Sequence, residues 1–446
     1  MINESNVSAI VSQKLCNTCG ACVSICPSSA IGFEETIGGY FHPQIDIDNC
    51  TSCGLCLKYC PGVHFGKDLL QNVPADPFEG TVLKTWIGAA NDEEIYNNSQ
   101  SGGIVTALLI DSIAKGDIAG AVVVVMSAGN PPRPKVVIAK TREEIIEAQK
   151  SKYCPVPLLK ILSEVEKVEL PVALVGLSCH MHGLSNYLEH RPQFKENIKY
   201  KIGLVCDRVM TYAAIDYLIK KSRLNHDGNK MLYFRDKSSR VNAWGVKVVA
   251  DNGISKVMPP QERMKIKDSF TLARCRLCFD KMNVFSDVTF GDPHGVSGFD
   301  WNKGETLVIA RTHKGLNLIE KAGSSEAIEL REINYIEAVN GQAIKKKREE
   351  WIGYSEAWRK MGHDLPNYYD NVKQSAELSD SHEYYKKLKF AMLLDKFNSR
   401  DKLFKFIDMK LKAEEVFQEM FSFHRFFVRV LKKIKSLTKR GYNCAD

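Results

Sequence analysis

No stretch of this 446-residue chain approaches the roughly 20 apolar residues that a membrane-spanning helix needs. The opening MINESNVSAIVSQKL lacks the basic start and continuous apolar run of a secretory leader, so a cytoplasmic location is expected. Neither a Gly-x-Gly-x-x-Gly fingerprint nor a Walker loop occurs, which argues against an ordinary Rossmann NAD site or a P-loop. No nucleic-acid-binding motif accompanies the modest net charge of +8, and nucleic acid is not an expected partner. Acidic residues are missing altogether from Met420 to Gly441, where seven Lys and Arg stand. The only internal repeat is short and made of cysteine. In a reducing compartment the fourteen cysteines point to ligation rather than to disulfides.

That repeat lies in the first sixty residues. Cys16, Cys19, Cys22 and Cys26 follow the pattern Cys-x2-Cys-x2-Cys-x3-Cys-Pro, and Cys50, Cys53, Cys56 and Cys60 follow it again. This is the bacterial ferredoxin run, in which the fourth cysteine of each group ligates the cluster of the other. Cys60 is therefore expected with Cys16, Cys19 and Cys22 on one 4Fe–4S cluster, and Cys26 with Cys50, Cys53 and Cys56 on a second. Gly20 and Gly54, each just after a second cysteine, suit backbone wrapping closely around sulfide. Zinc sites or a disulfide knot would explain neither the third cysteine of each run nor the proline.

Length and composition, with 44% hydrophobic and 26% charged residues, indicate a multidomain globular protein of α+β and α/β character. Three domains are expected. Residues 1–75 form the two-cluster unit, 76–354 an α/β core on a mixed sheet, and 355–446 a helical basic tail. Short apolar runs at 121–126, 172–177 and 201–206 are predicted buried strands. A helix is predicted over 103–115, stopped by Gly116, and a hairpin over 244–258 turning at Asp251-Asn252-Gly253.

Six cysteines remain. Cys179 and Cys206 are predicted at the carboxyl ends of strands, the edge where ligands collect in open α/β sheets, and Cys275 and Cys278 form a Cys-x2-Cys pair. Together they match the four thiolates of a third 4Fe–4S cluster, with buried structural cysteines or zinc as alternatives and Cys154 in reserve. Ser99-Gln100-Ser101-Gly102-Gly103 opens the predicted helix and reads either as a ligand-binding loop or as an N-cap at Ser101. His180 and His182 follow Cys179 directly; each is a proton donor beside a redox centre or a structural histidine. Asp280, Asp287, Asp292 and His294 read as loop and turn chemistry.

The order of these stretches resembles the beta subunit of coenzyme F-420 hydrogenases and dehydrogenases, a family of flavin-containing iron–sulfur proteins. Ser99 to Gly103, Ser151-Lys152-Tyr153, Gly176 to Cys179, Ile202 to Cys206, Cys275 to Asp280 and Asp287 to Gly295 carry the resemblance, over residues 85–350. It implies FAD, with Ser101, Gly102, Gly103, Lys152 and Tyr153 as contacts, and cluster ligation by Cys179, Cys206, Cys275 and Cys278. Where the family commonly has Gly-Thr-Pro-Cys-Gln, this chain has Gly176-Leu177-Ser178-Cys179-His180.

The combined expectation is a flavin-dependent iron–sulfur oxidoreductase. Single electrons would pass through 4Fe–4S clusters and be paired at FAD for chemistry on a deazaflavin or small-molecule substrate. The alternative is an electron-transfer subunit feeding a separate catalytic partner. The tail over 420–441, with Phe423, Phe427, Val430, Leu431 and Ile434 near one helical face, would dock an acidic redox partner or an anionic membrane surface, or pack on the core.

Overall fold

The computed structural model describes residues 5–237, 245–299, 304–373 and 382–417. Residues through Lys396 form one compact unit and those from Phe397 a second. The basic segment 420–441 lies outside the described residues. Among the described residues no helix is long and apolar enough to cross a membrane.

The N-terminal unit carries a small antiparallel hairpin, β1 (Ile31–Glu35) with β2 (Phe41–Ile45). Its cysteines Cys16, Cys19, Cys56 and Cys60 share one buried cluster with Leu158, Leu159, Met181 and Leu184 of the core. The two-cysteine-run unit is thus fused to the core through an apolar interface.

The core is organised on eight strands: β3 (Lys84–Ala90), β4 (Ala121–Ser127), β5 (Arg133–Ala139), β6 (Val172–Gly176), β7 (Ile198–Leu204), and three more. A separate antiparallel sheet is formed by β8 (Lys230–Tyr233), β9 (Val246–Ala250) and β10 (Ser255–Met258). The last strands of the large sheet are β11 (Val288–Gly291), β12 (Thr306–Ala310) and β13 (Ile328–Glu332), and its order is β13-β3-β12-β11-β7-β6-β4-β5. Strands β11, β7, β6 and β4 are parallel; the outer pairs are antiparallel. The sheet is mixed, as expected. The valine run of β4 is buried because helices and loops cover both of its faces, the usual position of a parallel strand.

The helix Ile104–Ala114 begins at Gly103 in a left-handed conformation (φ 78°) and makes no side-chain cap bond. Ser101 therefore does not cap it, since Gly103 already occupies that position. The Asp251-Asn252-Gly253 turn joins β9 to β10 as predicted, with β8 added on the other side of β9. The helix Ile344–Lys360 runs across residue 354, where a domain boundary was expected. Trp351, Tyr354 and Trp358 are all buried on it, so apolar packing carries the core through that position.

Candidate functional site

Gly20 (φ 89°) and Gly54 (φ 74°) open the short helices Ala21–Ile25 and Leu55–Lys58. A left-handed residue there turns the chain around each cysteine triplet at little steric cost. Cys26, Cys50, Cys53 and Cys56 line one small pocket with Ile31 and Ile45. Cys60 lies with the other triplet. Burial raises the Cys22 thiol well above its ordinary value, and Cys19, Cys16, Cys60 and Cys56 raise it further. Cys26, the fourth cysteine of the first run, thus shares a pocket with the first three of the second.

The core cysteines converge from three elements. Cys179 lies in the first turn of the helix Ser178–His190, three residues beyond β6, rather than on the strand itself. Cys206 follows β7 by two residues, its N–H bonded to Lys281 O at 3.0 Å. Cys275 is on the short helix Ala273–Arg276, and Cys278 follows it. Burial pushes the Cys179 thiol well up, with Cys206, Cys19, Cys275 and Cys278 adding to the shift. Cys19 is the contributor from the N-terminal unit, so the core group and the first ferredoxin group are neighbours.

Among the described residues no three His, Cys, Asp or Glu side chains are arranged to hold a single metal ion. The donor sets are all sulfur, which is the chemistry a 4Fe–4S cluster takes. Burial raises the thiols of Cys16, Cys19, Cys22, Cys60, Cys179, Cys206, Cys275 and Cys278, so iron loading there must release their protons.

A cavity of about 260 Å³ opens at the carboxyl ends of the parallel strands, between Val124, Gly176, Val205 and Gly291. Ser101, Gly103, Lys152 and Tyr153 all line it. Gly102 does not. Its N–H donates to Thr306 Oγ1 at 3.0 Å and its carbonyl accepts from Ala90 N at 2.7 Å. A Cβ there would stand 2.4 Å from Gly88 O and 2.8 Å from Thr306 Oγ1. The glycine is needed for contact with β3 and β12, not for approach to a ligand. Gly102→Val should accordingly destabilise the core by about 1–3 kcal/mol or more, read as a lower unfolding midpoint. Release of a cavity ligand with unchanged stability would contradict this.

Two loops are clamped together at the cavity. Ser151 N–H donates to Gln100 Oε1, and Gln100 Nε2 donates to Ser151 Oγ, both at 2.9 Å. Lys152 Nζ donates to Ala148 O at 2.6 Å and Gln149 O at 2.8 Å, and burial lowers its pKa to about 7. Tyr153 hydroxyl accepts from Arg235 at 3.3 Å, and the Arg263 guanidinium lies 4.9 Å over its ring. Arg235 in turn pairs with Asp292 at 2.6 Å.

His180 lines the cavity yet is fully bonded, Nδ1 accepting from Leu177 N–H at 3.1 Å and Nε2 donating to Val156 O at 3.0 Å. Burial lowers its pKa to about 4. The departure from Gly-Thr-Pro-Cys-Gln thus installs an imidazole that caps its own helix. His182 bonds Asp280 Oδ2 at 2.9 Å, while Asp280 Oδ1 accepts from Val284 N–H. Asp287 accepts from Lys201 N–H and Thr312 Oγ1. These side chains do structural work.

Sequence reasoning missed one residue of the cavity wall and one that braces the glycine loop. Cys154, held in reserve as a ligand, stands in the cavity wall, where burial raises its pKa to about 12 and Arg133 and Lys152 oppose the rise. Lys237 reaches the glycine loop from far along the chain, donating to Tyr96 O at 3.1 Å and Ser99 Oγ at 3.2 Å. No local signal marks either one.

Three family patterns match. "4Fe-4S dicluster domain" covers residues 15–62. "Coenzyme F420 hydrogenase/dehydrogenase, beta subunit N-term" covers 85–163, and the corresponding C terminus covers 170–335. An uncharacterized protein of Methanocaldococcus jannaschii is 28% identical over 361 residues, 75% of this chain and 94% of that one. The coenzyme F420-dependent sulfite reductase of the same organism is 25% identical over 361 residues, 78% of this chain and 52% of its own length. The coenzyme F420 hydrogenase subunit beta of Methanosarcina barkeri is 23% identical over 267 residues, 58% of this chain and 86% of that subunit. A chain of the solved F420-reducing [NiFe] hydrogenase complex of M. barkeri shares the fold, with a TM-score of 0.51 at 21% identity over 66% of this chain and 99% of that one. With both halves of the beta-subunit pattern matched in order behind a dicluster unit, the chain belongs to the coenzyme F420 hydrogenase/dehydrogenase beta-subunit family.

Proposed function

We propose that this chain is an iron–sulfur flavoprotein oxidoreductase. Its ligand sets are Cys16, Cys19, Cys22 and Cys60; Cys26, Cys50, Cys53 and Cys56; and Cys179, Cys206, Cys275 and Cys278. FAD occupies the cavity beside Ser101, Gly103, Lys152 and Tyr153, and the substrate is a deazaflavin or another two-electron acceptor or donor. When bound, the clusters supply one-electron steps and the flavin converts them to two-electron chemistry. The carrying observation is the helix Ser178–His190. Its first turn contributes Cys179 to the core cysteine group and His180 to the cavity wall. The apolar strand ends exclude water, and Tyr153 with the bonded loops at Gln100 and Ser151 orients what enters.

Lys152 makes the reading pH-dependent. Its folded-state pKa is lowered from 10.5 to about 7. The unfolded chain then binds one more proton than the folded one between pH 7 and 10.5, so this group's contribution to stability rises with pH across that window. An anionic ligand needs the ammonium form. Affinity for FAD, measured by fluorescence titration, should be greatest below pH 7 and fall by about tenfold per unit above it. A flat profile through pH 9 would remove Lys152 from the site.

The second reading, an electron-transfer subunit, is favoured by exposure of Cys53 at the edge of its group and by relatives whose names are those of subunits. Purification of the chain alone without oxygen separates the readings. Flavin with turnover of a deazaflavin supports the first, flavin with dye reduction only supports the second, and absence of flavin after reconstitution overturns both.

A further inference from the structure

A guanidinium stays protonated in a protein, and a buried cation is strongly unfavourable without a counter-charge. Arg274 is 4% exposed. Its Nε donates to Gly62 O at 3.1 Å, and one terminal nitrogen reaches Pro61 O at 3.5 Å and the Tyr368 hydroxyl. Two of these acceptors are neutral carbonyls, and burial keeps the Tyr368 phenol protonated. Among the described residues no carboxylate lies within ion-pair reach of Arg274. Arg276, two positions on and equally buried, does reach Asp268, at 3.5 Å.

Cysteine-bearing segments flank Arg274 instead. Cys275 follows it in the chain, and its carbonyl acceptors Pro61 and Gly62 follow Cys60. Its electrostatic influence reaches Cys16, Cys19 and Cys60 as well as Cys275 and Cys278. Cys26, Cys50, Cys53 and Cys56 line a separate pocket to which Arg274 does not contribute.

We propose that Arg274 is the shared counter-charge of two cysteine groups, a positioning and potential-setting residue between the Cys16, Cys19, Cys22, Cys60 site and the Cys179, Cys206, Cys275, Cys278 site. The inference rests on reading both as 4Fe–4S sites. Four thiolates make each loaded site a net anion, and reduction adds one more negative charge. A fixed buried cation therefore favours the reduced form and raises both midpoint potentials together, while the Cys26, Cys50, Cys53, Cys56 site stays as an internal reference.

The test is a redox titration of the intact, iron-loaded chain, followed by electron paramagnetic resonance, for wild type, Arg274→Gln and Arg274→Lys. In Arg274→Gln two of the three potentials should fall, each by about tenfold in the reduction equilibrium, or about 59 mV for one electron. The third should hold, and Arg274→Lys should restore most of the shift. Full iron with unshifted potentials, or an equal shift of all three, overturns the proposal. If Arg274→Gln loses iron, a loaded Arg274→Lys at wild-type potentials supports the role of charge, and loss of iron there too overturns it. Failure of the underlying three-cluster reading appears separately, as wild-type protein with fewer than about twelve irons.

Discussion

Chain reconstituted without oxygen should hold about twelve irons, and replacing Cys275 and Cys278 together with serine should bring that to about eight. The pair closes the core group, reached otherwise by Cys179 from a helix turn and by Cys206 from beyond β7. Removing two of four thiolates leaves too few ligands for a cube. Cys26, Cys50, Cys53 and Cys56 line a pocket of their own, and neither they nor Cys16, Cys19, Cys22 and Cys60 are altered, so the iron of those eight should remain. Cys275 is flanked by Leu272, Ala273 and Leu277, all buried, which anchors the short helix when its thiol is changed. Iron and acid-labile sulfide analysis reads the loss directly, and slower electron passage to a bound flavin should accompany it. Eight irons in wild type, or no change on double substitution, would reduce the four cysteines to packing.

Cys26→Ala should remove the cluster of Cys50, Cys53 and Cys56, about four irons, while leaving that of Cys16, Cys19 and Cys22 in place. Cys26 lines the pocket of the second run and influences Cys56. Cys60→Ala should do the converse, since Cys60 is grouped with Cys16 and Cys19. The two variants should therefore lose different signals in the paramagnetic resonance spectrum of the reduced protein. Loss from its own run in either variant would overturn the crossed pairing.

Local spacing made part of this site legible. A Cys-x2-Cys-x2-Cys run dictates a tight turn, and Gly20 and Gly54 supply the left-handed residues which that turn uses. The valine run of β4, the helix Ile104–Ala114 and the turn at Asp251-Asn252-Gly253 were equally readable, because periodicity and turn chemistry are short-range. Ser101 misled. A serine before two glycines looks like a cap, but the left-handed Gly103 takes that place. Gly102 was read correctly as a close-approach glycine and assigned the wrong neighbour, since Gly88 and Thr306 are brought to it only by the pairing of β3 with β12.

The amino-acid sequence by itself determined the ferredoxin runs, the family and the alternating elements, since these depend on residues a few positions apart or on their order. Tertiary structure decided that Cys26 joins Cys50, Cys53 and Cys56 in one pocket, and that Arg274, which precedes Cys275, is buried and bonded to the carbonyls of Pro61 and Gly62 beside Cys60. It also decided that Cys154 and Lys237 belong with the cavity loops. Those relations join residues tens to hundreds of positions apart. They arise when the mixed sheet closes and the apolar interface around Leu158 and Met181 forms, and neither event leaves a mark at any single position of the chain.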